Sequence, residues 1–141
     1  MASFFSKTYW VIKYHRDDVK KCIATIKNLP GDVQLSFRRD LRTEIAAVKA
    51  VVAQHAHPNM SGEEIGSLMQ ELVALSLQAT AKRHRQVELA SRLNTPDPGA
   101  VPAWNLACVE GSYIAAVMLL LKTRSSDAGQ LSADIEKYSK S

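Results

Sequence analysis

The sequence predicts an all-α fold, a small helical bundle of four to five helices. Ala, Val, Leu and Ile carry an apolar content of 46%, against 6% aromatics, and Ala and Leu favour helices. Apolar residues recur at three- and four-residue steps along most of the chain, which is helical periodicity. Breakers near Pro30, Pro58 and Pro96 divide it into helix-length segments. The 141 residues are read as one domain, 1–141, with 1–6 and 139–141 as disordered ends. That length suffices for a core without disulfide or metal staples.

The first segment is ambiguous up to residue 16. Trp10, Ile12 and Tyr14 alternate as in a strand, yet Phe5, Tyr9, Ile12, Val19 and Ile23 fit one long helix. The helix is preferred because a lone strand has nothing to pair with. From Asp17 to Asn28, Val19, Cys22, Ile23 and Ile26 share one face. After Leu29-Pro30-Gly31-Asp32, the stretch 33–55 places Phe37, Leu41, Ile45, Val48, Val52 and His55 on a stripe. A third helix is expected from Ser61, because Glu64 three residues on completes a capping box. Ile65, Leu68, Met69, Leu72, Leu75 and Ala79 make its apolar face. It is expected to continue towards Leu93, with Asn94 as a left-handed terminator.

Pro102 suits the first turn of the next helix, 103–121, which is apolar on nearly every side. Such a helix is expected to be central or at an oligomer interface. Ala103, Ala107, Gly111 and Ala115 recur along it every four residues, a stripe that permits close approach of another helix. Its length matches a membrane span, but Asn105, Glu110 and Ser112 argue against one. The expectation is no membrane. The last segment, Asp127 to Tyr138, is a short amphipathic helix with Leu131, Ile135 and Tyr138 on one face.

Chemistry-bearing motifs are sparse. His55-Ala56-His57, with Glu63 or Glu64, is a local arrangement of zinc-ligand residue types. Residues two apart on a helix diverge, and no HExxH or CxxC spacing supports it. Cys22 and Cys108 lie far apart among apolar neighbours and read as buried thiols. No metal, cofactor or catalytic residue is assigned. Glu110 stands out inside the most apolar helix, where a carboxylate needs a partner or a role. No nucleophile, phosphate-binding loop or second carboxylate accompanies it in sequence.

Charge supplies the remaining candidates. The chain carries a net charge of +4. Arg38, Arg39 and Arg42 form one cluster, and Lys82, Arg83 and Arg85 another. Both are partner-binding candidates, expected on solvent-exposed helix faces. Asp40, Glu44 and Glu88 are interleaved and dilute the field. These features predict a non-enzymatic helical protein that binds another protein, an acidic one being the class the charge favours. Adaptor, inhibitor, immunity-type and regulatory roles all fit. A homo-oligomer is expected, packed through the 103–121 helix. The alternative is a basic nucleic-acid-binding or nucleoprotein accessory protein, and a further one is an enzyme using the buried carboxylate Glu110. The opening residues carry no apolar signal core, and the expected location is the cytoplasm.

Overall fold

Helices form where the periodicity places them. In order they are α1 (Ala2–Lys27), α2 (Gly31–His55), α3 (Gly62–Arg92), α4 (Ala100–Thr123) and α5 (Ser126–Lys140). This computed structural model describes the backbone of residues 2–92 and 100–141. It describes the side chains of residues 7–82, 84, 85, 88, 89 and 101–141. There is no strand among the described residues, so the ambiguous opening segment is part of one helix. The expected disorder at 139–141 meets a helix that runs on to Lys140, with Ser139 buried. Leu93, Asn94 and Pro96 lie outside the described residues.

Local chemistry explains the boundaries. Pro30 stands at the start of α2, where a missing N–H costs nothing. The Gln34 side chain reaches back from the first turn of α2. It donates to the Leu29 carbonyl at 2.7 Å and the Lys27 carbonyl at 3.3 Å, satisfying acceptors that the end of α1 leaves open. The capping box at α3 is formed as expected. Glu64 N–H donates to Ser61 Oγ and Ser61 N–H donates to Glu64 Oε1, both at 3.1 Å. Asn59 takes a left-handed conformation in the α2–α3 turn, φ 67°, which Asn tolerates. Arg124 does the same between α4 and α5, φ 54°. Ser125 then caps α5, accepting from the Ala128 N–H.

The core gathers the predicted stripes. Ile12, Val19, Cys22 and Ile26 come from α1, and Phe37, Leu41, Ile45 and Val48 from α2. Leu68 and Leu72 come from α3, Leu131 and Ile135 from α5. Between them runs α4, contributing Leu106, Val109, Tyr113, Ile114 and Ala116. It packs on all four other helices, whereas α1 and α3 do not touch one another among the described residues. They are the two walls that flank α4. By length and composition alone, Val101–Thr123 is apolar enough to cross a bilayer. Here it is the axle of the bundle.

Candidate functional site on the fourth helix

The two sides of α4 are built differently. On the inner side Leu106, Val109, Glu110 and Tyr113 are buried. Glu110 is 2% exposed, in line with Leu106 one turn before it and Ile114 one turn after. It is partnered within the fold, as a carboxylate in such surroundings must be. Burial pushes the Tyr113 phenol up to about 12, and the nearby Glu136 carboxylate adds to the rise. Glu136 itself pairs with Lys49 of α2. The inner side is thus a closed, structural environment.

The outer side is open. A Cβ added at Gly111 meets nothing within 4 Å, so the small-residue stripe is not packed against another helix there. Ala103, Ala107 and Ala115 are half-buried. Trp104, two turns before Gly111 and on the same side, is 48% exposed. The expectation for this helix was central or interfacial. It is central by its contacts, and one side remains uncovered.

One aromatic contact borders this open side. On the α3 wall, the His84 ring meets the Trp104 ring edge-on, with centroids 4.9 Å apart. His84 belongs to the basic run, whose Lys82 and Arg85 are both exposed. The Arg83 side chain lies outside the described residues. On α1, Trp10 and Tyr14 are 62% and 67% exposed, one turn apart, on the face away from buried Ile12 and Val19.

A polar seam joins α1 to α4. His15 Nδ1 and Ser112 Oγ are hydrogen-bonded at 2.9 Å. Burial holds the His15 imidazole below its ordinary value, with Asp18 opposing. One turn along both helices, donor atoms of Asp18, Cys22 and Cys108 all lie within 4.8 Å of one another. Both thiols are free. Burial pushes Cys22 up to about 12, helped by Cys108 and Asp18. Cys108 is raised by burial and by Asp18. Sequence reasoning missed this cluster. The only signal was Asp18 and Cys22 at the i, i+4 spacing that shares a helix face; nothing local pointed to Cys108.

The other candidates are dispersed. Arg38 is half-buried beside the Tyr138 phenol, which burial raises and the guanidinium lowers. Arg39 is exposed, 3.2 Å from Ser36 Oγ. Arg42 is exposed, but its Nη1 donates to the Ser139 carbonyl at 2.5 Å and ties α2 to the end of α5. Two of these three arginines therefore engage α5. No hydrogen bond or ion pair among the described residues joins this cluster to Lys82 and Arg85. The paired histidines separate: His55 bridges to Glu71 at 2.6 Å, and His57 pairs with Glu64. A half-open recess of about 430 Å³ lies between α1 and the α4–α5 turn, lined in part by Thr8, Tyr9, Arg124 and Asp127. No protein-family model, curated protein or solved structure matches the chain.

Proposed function

We propose that this chain is a non-enzymatic helical protein that works by binding protein, and that its first partner is a second copy of itself. One observation carries the reading: the most apolar helix leaves a glycine-centred side in open space. Exposed apolar surface of this kind is a common mark of an interaction site. A stripe of small residues is self-complementary, because a twofold axis sets the same stripe against itself. Ala107, Gly111 and Ala115 then form the floor of the contact, and Trp104 stands at its edge as an aromatic anchor. Exposed Lys82 and Arg85, in the same α3 run as His84, favour an acidic partner through association rate. Arg42 is committed to Ser139, which supports giving it a structural rather than a recognition role.

Light scattering of the reduced wild-type chain across micromolar concentrations tests the first step. A mass twice that of the chain is expected; a monomer mass throughout removes the self-association. The second reading, a basic nucleic-acid-binding protein, draws on exposed Arg39, Lys82 and Arg85. Retention on heparin that falls steeply with salt favours it.

A further inference from the structure

We propose that Asp18, Cys22 and Cys108 bind one zinc-class divalent cation, which clamps α1 to α4. Asp18 and Cys22 are one turn apart on α1, so they share a face. Cys108 meets them from α4, and the three donor atoms are mutually within 4.8 Å. A tetrahedral zinc with Zn–S bonds of about 2.3 Å needs sulfurs about 3.8 Å apart, so a small side-chain adjustment completes the site. Two sulfurs and one carboxylate oxygen form a ligand set for borderline-soft ions, not for magnesium or calcium.

Access and support are also present. Asp18 and Cys108 are half-exposed while Cys22 is buried, so an ion enters from solvent and a water fills the fourth position. The His15–Ser112 hydrogen bond, one turn further along both helices, braces the same pair of helices. On binding, each thiol releases its proton to solvent. Two thiolates and the carboxylate then surround the dication, leaving a net charge of −1 on the site. The competing use of two adjacent thiols is a disulfide. Asp18 contributes nothing to that bond, and its charge opposes the thiolate that exchange requires. A cation is the species that makes use of all three groups.

The test is a Co²⁺ titration of the full chain, kept reduced with a phosphine. The expected result is saturation at one ion per chain, with a near-ultraviolet thiolate-to-cobalt band and the visible bands of a tetrahedral ion. Zn²⁺ should bleach both. Cys108→Ser should weaken binding and cut the thiolate band to half or less per bound ion, and Asp18→Asn should weaken binding about tenfold or more. Cys22→Ser changes a buried position, so its helical content is checked by circular dichroism. If it unfolds, the half-exposed Cys108→Ser variant and protection of both wild-type thiols from alkylation by Zn²⁺ decide the matter. Absence of the thiolate band in the wild type overturns the proposal. So does a band of undiminished intensity and affinity in Cys108→Ser. A Cys22–Cys108 disulfide that forms without reductant, in a chain that takes up no Co²⁺ once reduced, overturns it as well.

Discussion

The inner and outer sides of α4 have nearly the same apolar composition and opposite environments. Leu106, Val109 and Tyr113 are buried, while a Cβ at Gly111 would meet open space and Trp104 is half exposed. What differs is the supply of cover. All four other helices pack on α4, but α1 and α3 do not touch one another among the described residues, and no helix lies against Gly111. Hydrophobicity alone therefore does not place a residue in a core; the number of neighbouring helices does.

The contrast can be broken first on its inner side. Leu106→Ala removes a buried side chain, and about 2–5 kcal/mol of stability should be lost in chemical denaturation. Gly111→Leu is the matching change outside. The new side chain meets open space, and replacing a mid-helix glycine should stabilise the monomer by up to about 1 kcal/mol. It should also split the dimer, which light scattering would register as a halved mass. A monomer destabilised by Gly111→Leu would mean that the outer side is packed after all.

Proton titration sharpens the comparison at smaller scale. His15 lies in the α1–α4 seam, half-buried, and its imidazole is held low by burial. His57 is exposed and is raised by its hydrogen bond to Glu64, with a second from Pro58. Imidazole NMR should find His57 titrating above His15. For His15 the neutral form is favoured, so its contribution is present at high pH and is lost as pH falls below the ordinary value of 6.5. For His57 the contribution is present below 6.5 and is lost as pH rises through its raised folded value. Glu64, lowered to about 2, contributes above its ordinary 4.5 and loses that contribution as pH falls towards about 2. Reversed pKa order would contradict the burial assigned to the seam.

The smallest effect on stability belongs to the exposed basic run of α3. Lys82→Glu with Arg85→Glu should change unfolding free energy by no more than about 0.5 kcal/mol. Binding of an acidic partner should nevertheless slow, most at low salt. Unchanged association kinetics at low salt would make these residues solvated surface only.

Much of the fold was legible because it is written in local spacing. The stripes through Phe37, Leu41, Ile45 and Val48 and through Leu131 and Ile135 are buried as their periodicity requires. Ser61 and Glu64 form the cap that their three-residue separation implies. The site was far less legible. α4 has almost no amphipathic contrast, so its sequence does not say which side neighbours will leave open. Arg38 and Arg42 looked like any surface arginine, because their partners lie in α5, at Tyr138 and the Ser139 carbonyl. The Asp18–Cys22–Cys108 cluster depends on α1 and α4 being neighbours, a fact set by tertiary packing with two helices intervening in the chain.

The central position of α4 also bears on how the chain reaches its fold. Before α4 is made, α1 and α3 have no contact with one another among the described residues, and each has only α2 to rest on. A nascent chain of three helices thus lacks the element around which its apolar stripes converge. The first stable nucleus should require α4, closing a long loop to α1 before most contacts reward that closure. Folding should then be concerted and slow for a helical protein of this size. The conversion of a loose, exposed three-helix ensemble into a cooperative unit falls to the fourth segment in the order of synthesis.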